Sequence, residues 1–308
     1  MRLLVVGAGA TGGYFGGRLA AAGRDVTFLV RSARAKQLAA DGLRIISPHG
    51  DATLTPKLVT AGTIAAPFDA VVITVKAYSL AAAIEDFAPA VGPDTVIVPA
   101  LNGMRHMDVL AARFGAGALV GGLCKIAAAL DPSGAIKQLS GFHDFVYGER
   151  DGNDTARIRA LDAEMVGVGF DARLSSRIES EMWEKWVMMA TLGGVTCLMR
   201  GAVGEIEAAI GGREFVQAFL DEVVAAVSAL GHVPGHDFVA ALKTILLAKN
   251  SALAASMYRD LVQGNPIEAD QIIGDLLARA AKAGVKTPLL ATAYAALCVY
   301  QNRLAATA

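Results

Sequence analysis

Residues 3–12 read LLVVGAGATG: four apolar residues that run directly into the spacing G-x-G-x-x-G at Gly7, Gly9 and Gly12. An alanine-rich segment from Tyr14 to Ala22 follows and stops at Gly23, a residue suited to ending a helix. DVTFLV (25–30) then reads as a second buried strand, so the first 30 residues spell strand–helix–strand. In that setting each glycine has a mechanical task. Gly7 permits a tight turn, Gly9 lets the backbone approach a pyrophosphate, and Gly12 lets the helix pack closely on the strand. The backbone of Gly7, Ala8, Gly9, Ala10, Thr11 and Gly12, at the positive end of the helix dipole, then forms a cradle for phosphate.

The implied ligand is a dinucleotide. A carboxylate at the end of the second strand would suit the ribose hydroxyls of NAD, but that strand ends FLVRSARAK, with Arg31, Arg34 and Lys36 and no acid. Arginine there suits a 2′-phosphate, so NADP(H) is the expected cofactor and Arg31 its first contact. Arg34 and Lys36 read instead as residues of a solvated loop or helix face. Two more polar residues finish strands beside the same expected crevice: Lys76 in VVITVKAYS and Asn102 in VIVPALNGM. Lysines and Asn-Gly turns also end strands for purely local reasons. The residues alone leave a role in placing cofactor or substrate open.

The chain has 308 residues, which is long for one core, so two domains are expected. Hydrophobic residues make up 54% and charged residues 19%, ample for burial and unlike disorder. A formal net charge of −1 argues against nucleic-acid or anionic-membrane partners held by charge. Cys124, Cys197 and Cys298 show no paired spacing, as in a reducing compartment. The N-terminal apolar run breaks at Gly7, too early for a secretion signal. Trp186–Met199, uncharged over 14 residues, is too short for a membrane span. A cytoplasmic protein is expected, with no membrane partner.

Further strands are expected at LRIIS (43–47), ATLTPKLVT (52–60), DAVVITV (69–75), DTVIVPAL (94–101) and 118–130, with a helix over 79–88 and a hairpin over 134–149. Beyond about residue 151 the pattern becomes helical: 153–166, 177–192, 203–230, 236–249, 266–283 and 288–305. The expected fold is an α/β Rossmann-type dinucleotide-binding domain over 1–174 and an all-α domain over 175–308. The alanine-rich helices leave a homodimer open. His232 and His236 have the spacing of helical metal ligands, but Pro234 and Gly235 between them specify a turn, and no metal site is expected.

One helix poses a question. MWEKWVMMATLGG (182–194) is apolar nearly throughout, yet holds Lys185 between Trp183 and Trp186. Glu181, four residues earlier, offers an ordinary surface ion pair. Further on, NPIE reads as a capping box, with Asn265 at the N-cap and Glu268 at the third helical position.

Taken together, the glycine loop, TVKA, LNGM, the W-x-K helix and SMYRDLVQGNPIEADQIIG (256–274) resemble ketopantoate reductases, the NADPH-dependent 2-dehydropantoate 2-reductases. The resemblance spans Gly7 to about Pro288. It implies that Lys185 is the general acid and that Asn102 orients it. It also implies that Ser256 and Glu268 bind a 2-oxo acid substrate in a cleft between the domains, with Lys76 beside the nicotinamide. The reaction moves a hydride to a carbonyl carbon and leaves charge on oxygen, which a partly desolvated lysine of lowered pKa would protonate. The family helix carries asparagines four and eight residues after its lysine; here Met189 and Gly193 stand there. That leaves open a related reductase for a different, less polar 2-oxo acid. A non-catalytic NADP(H) sensor is the reading from another class, against which the retained Lys185, Asn102, Ser256 and Glu268 count.

Overall fold

The strand β1 (Arg2–Val6) is buried from its second residue onward, because parallel strands on both sides and helices on both faces leave it no solvent edge. The computed structural model describes residues 1–307. After β1 come α1 (Ala10–Ala21), β2 (Asp25–Leu29), α2 (Ser32–Asp41), β3 (Leu43–Ile46), β4 (Ala52–Leu54), β5 (Lys57–Val59) and β6 (Ala70–Ile73). The series continues with α3 (Leu80–Phe87), β7 (Val96–Pro99), α4 (Arg105–Phe114), β8 (Gly121–Leu130), β9 (Ile136–Gly148), α5 (Ala156–Met165) and β10 (Asp171–Leu174).

The first sheet is parallel, in the order β5-β2-β1-β6-β7. The chain leaves β1 toward β2 and later returns to β1's other side with β6. That reversal opens a crevice at the carboxyl ends of β1 and β6. Residues 52–60 do not form one strand. Pro56 lacks an amide hydrogen, and on either side of it β4 pairs with β3 while β5 joins β2 in the other sheet. Residues 134–149 are likewise not a hairpin. They supply one long strand, β9, whose antiparallel partner is β8, so the hairpin turns at 131–135. β9 also carries β10 and β3 in parallel, completing a second sheet. The core between these layers holds Val5, Val72 and Val98 from the first sheet, Phe15 from α1, and Phe145 with Phe170 from the second layer. Phe15 meets Phe145 and Phe170 edge-on at 5.1 and 5.0 Å. Each such ring contributes roughly 1.5–3 kcal/mol by burial.

The chain divides into two units. One comprises Met1–Leu101 and His106–Glu179; the other comprises Asn102–Arg105 and the chain from Ser180 onward. The second is helical: α6 (Ile178–Met199), α7 (Val203–Ala208), α8 (Gly212–Ala229), α9 (His236–Leu246), α10 (Ser256–Val262), α11 (Asp275–Lys282) and α12 (Pro288–Ala306). The pattern over 203–230 is two helices, because Gly211 takes a left-handed conformation between them. A π-helical turn, Asp270–Gly274, leads into α11. Trp186 is fully buried in this unit, and its Nε1 donates to the Ile272 carbonyl of that turn at 2.9 Å. Among the described residues no helix is long and apolar enough to cross a membrane.

Candidate functional site

In the α/β unit the glycine loop joins β1 to α1. Gly7 has φ +96°, and its N–H donates to the Leu29 carbonyl at 3.0 Å, so the turn is tied to the end of β2. Gly12 is a close-approach position. A Cβ there would lie 2.1 Å from Thr74 Oγ1 and 2.2 Å from the Gly7 carbonyl oxygen. Thr74, just past β6, donates its hydroxyl to the Val6 carbonyl at 3.0 Å and so braces the loop from the other side of the crevice. Gly9 is the opposite case, since a Cβ there would meet nothing within 4 Å. Gly9 caps α1 with no side-chain bond, so the first amides of that helix, from Ala10, Thr11 and Gly12, lack a side-chain acceptor. Open space in front of uncapped amides is the arrangement a pyrophosphate requires. The loop fits the implied dinucleotide.

Arg31 is the N-cap residue just before α2 and is exposed, and its Nη2 donates to Ser79 Oγ at 3.4 Å. Its guanidinium therefore lies at the carboxyl edge shared by β2 and β6, with no carboxylate at the end of β2 to select against a 2′-phosphate. Lys76 directly precedes a short 3-10 turn after β6 and is half-buried. Arg34 differs from its expected solvated state. It is half-buried, because its Nε donates to the Ala8 carbonyl of the glycine loop at 3.1 Å. Lys36 is exposed, as expected.

In the helical unit, Asn102 and Glu268 meet. Asn102 Nδ2 donates to Glu268 Oε2 at 3.5 Å, and Gln271 Nε2 donates to the Asn102 carbonyl at 2.9 Å. Glu268 and Gln271 are each only 6% exposed, so both polar ends approach Asn102 from a buried position. The capping box at Asn265–Glu268 is not formed. The Asn265 amide that a capping carboxylate would take donates instead to the Asp260 carbonyl at 2.9 Å. The helix begins later: the Glu268 carbonyl accepts from Ile272 N at 3.0 Å, and Glu268 stands ahead of the first turn. Its carboxylate accepts from Asn102.

Lys185 is half-buried on α6, flanked by the buried Trp183 and Trp186 and followed by the half-buried Met188 and Met189. Lys185, Met189 and Gly193 share one face of α6 at helical spacing. Gly193 is buried, and a Cβ on it would come within 2.9 Å of Met257 Cε. Met257 follows Ser256, the first residue of α10, so this contact brings the start of α10 to α6. His232 lies in a turn before α9 and stacks on Trp183 at 3.9 Å between centroids. No cluster of three metal-ligating side chains occurs among the described residues.

Sequence reasoning missed Thr74, Arg34, Gln271 and Met257, all of which act on neighbours distant in the chain. Gln271 alone carried a readable signal, a polar residue one turn past Glu268 between apolar positions.

The chain matches the family model of ketopantoate reductase PanE/ApbA over residues 3–152 and that of its C-terminal domain over residues 177–301. It is 40% identical to an uncharacterized oxidoreductase, YkpB, of Bacillus subtilis, across 98% of this chain and 99% of that one. It is 27% identical to a 2-dehydropantoate 2-reductase of Mesorhizobium japonicum, across 89% of each. Among solved structures, a 2-dehydropantoate 2-reductase from Geobacter metallireducens superposes with a TM-score of 0.86 at 29% identity, covering 96% of this chain and 99% of that one. A D-mandelate dehydrogenase in complex with NADH shares the fold at a TM-score of 0.87 and 20% identity, covering 99% of each chain. The glycine loop and the Rossmann sheet order thus sit in a chain that belongs to the ketopantoate reductase family, oxidoreductases that act on CH–OH donors with NADP(H).

Proposed function

We propose that this reductase converts 2-dehydropantoate to pantoate, a step of pantothenate biosynthesis, with Lys185 as proton donor. The observation that carries the reading is the contact between Asn102 and the buried Glu268, because it joins two of the four polar residues the reaction needs. Bound NADPH supplies the hydride. As charge develops on the substrate oxygen, the Lys185 ammonium stabilises it and delivers a proton. Asn102 spends its amide nitrogen on Glu268, which leaves its amide oxygen to accept from the ammonium and hold it in line. Ser256 and Glu268 bind the hydroxyl-bearing end of the substrate, and Lys76 serves the nicotinamide side. The small-molecule substrate needs no protein partner, though a homodimer in the cytoplasm is the working assembly.

A second reading has its own observation. The face of α6 beyond Lys185 offers Met189, and Met257 fills the space over Gly193, so a less polar 2-oxo acid suits that wall. Following NADPH absorbance with a panel of 2-oxo acids decides between them. Oxidation fastest with 2-dehydropantoate supports the first reading, and fastest turnover with an alkyl- or aryl-substituted oxo acid replaces it by the second. In either case Lys185→Ala is expected to lower kcat by about 10²–10⁴-fold with NADPH binding retained. Tight NADPH binding with no turnover of any oxo acid would sink both readings in favour of a sensor.

A further inference from the structure

We infer that Arg34 is a positioning residue for the coenzyme loop, acting through the Ala8–Gly9 peptide and not by contact with the coenzyme. Its guanidinium joins three pieces of the α/β unit. Nε donates to the Ala8 carbonyl at 3.1 Å, and Nη1 donates to Gln37 Oε1 at 2.7 Å and to the Gly134 carbonyl at 3.1 Å. The glycine loop, α2 and the β8–β9 turn are thereby tied to one rigid plane. The turn is itself fixed. Asp131 Oδ1 accepts from the Ser133 amide, the Ser133 hydroxyl and the Ala135 amide, while the Ser133 carbonyl accepts from Gln37 and Arg44.

These partners of Arg34 are all neutral. Burial, and then the charge of a second cation, Arg44, hold its pKa below the ordinary arginine value. Nη2 is buried with no hydrogen-bond partner among the described residues. A half-buried cation without a counter-ion costs stability, and an anion arriving nearby offsets that cost.

The route to the ligand is one peptide long. A peptide is planar, so fixing the Ala8 carbonyl on one side fixes the Gly9 N–H on the other. A charge-assisted bond to the carbonyl also polarises the peptide and strengthens that N–H as a donor. Gly9 is the residue in front of which the loop leaves open space. Arg34 therefore prepares the amide that meets the pyrophosphate, a group common to NADPH and NADH. Arg31, by contrast, is the residue expected to meet the 2′-phosphate that NADPH alone carries.

The test is coenzyme binding to the full-length protein, read by fluorescence titration with NADPH and with NADH. Arg34→Gln is expected to raise both Kd values by a similar factor, about tenfold for one charge-assisted bond. The KM for NADPH should rise with it, while kcat at saturating coenzyme falls far less. Arg31→Ala should weaken NADPH alone. Arg34→Lys keeps the stem and one donor, so it should restore part of the loss for both coenzymes. If Arg34→Gln does not fold, Arg34→Lys decides, and both Kd values must rise together. Loss of NADPH binding alone would make Arg34 a phosphate ligand, and unchanged Kd values with a lowered Tm would make it merely structural. Either result overturns the inference.

Discussion

Gly193 and Met257 together decide what the face of α6 beyond Lys185 offers. A side chain at 193 meets the Met257 methyl at 2.9 Å, too close for the two to coexist unchanged. Met257 is flexible, so it can give way at a cost of about 1–3 kcal/mol. Gly193→Asn is therefore expected to lower stability by that amount in urea or thermal unfolding. Adding Met257→Ala should return most of the loss, because the two sites share one contact. The double variant should also raise the kcat/KM of a hydroxyl-bearing 2-oxo acid relative to an alkyl one; an unchanged ratio would remove Met257 from the specificity wall. The loss of an amide side chain at 193 was legible in the sequence, but its partner Met257 was not. Gly193 and Met257 are 64 positions apart, and a glycine in a helix gives no sign of what fills the space beside it. Only the cap reading at Glu268 failed, for a related reason: N-P-I-E satisfies the spacing of a cap, but the Asn265 amide was already taken by the Asp260 carbonyl.

The junction of β1 and α1 was fully legible, because everything that specifies it is local. An apolar run, three glycines at fixed spacing and a helix stop define strand, loop and helix within one stretch. What the spacing did not reveal is that its glycines do different work. Gly12 serves the fold, since its hydrogen faces Thr74 and the Gly7 carbonyl; Gly9 serves the ligand, since a Cβ there would meet nothing within 4 Å among the described residues. Gly12→Ala is expected to lower stability by about 1–3 kcal/mol through overpacking, with NADPH affinity falling as a consequence. Gly9, with φ −79°, accommodates a methyl without backbone strain. Gly9→Ala should leave the melting temperature within the small scatter of neutral substitutions while weakening NADPH binding about tenfold. Thermal melts with and without NADPH separate the two. The β8–β9 ribbon was less legible: 134–149 was expected to fold on itself as a hairpin, but it is one strand whose pairing with β8 depends on a turn at 131–135, between the two segments considered.

Acid sensitivity belongs to the α/β unit as a body, because two titrating groups link its layers. Glu149, beyond the end of β9, is 5% exposed. It accepts two bonds from Arg157 of α5 at 2.7 and 2.6 Å and one from Thr155. The Arg157 guanidinium holds its carboxyl below the ordinary value of 4.5. His143 of β9 is buried, hydrogen-bonded to Tyr14 of α1 at 2.6 Å and stacked on His49 at 3.8 Å. Burial, and then the His49 ring, hold its pKa below the ordinary value of 6.5. In both cases the unfolded chain takes up a proton at a higher pH than the folded chain does, so stability rises with pH across each window. The contribution of His143 is fully present above about pH 6.5 and is lost as pH falls toward its depressed folded value. That of Glu149 is fully present above about pH 4.5 and is lost below it. Urea midpoints measured from pH 8 to pH 3 should be flat at first, decline from about pH 6.5 and steepen below 4.5. Glu149→Gln should cost about 1.5–3 kcal/mol at neutral pH, the worth of bonds to a charged group, and flatten only the lower part of that decline. A variant whose acid limb keeps the wild-type slope below pH 4.5 would mean that other carboxylates govern it, and that the β9–α5 link does not set the acid limit of the unit.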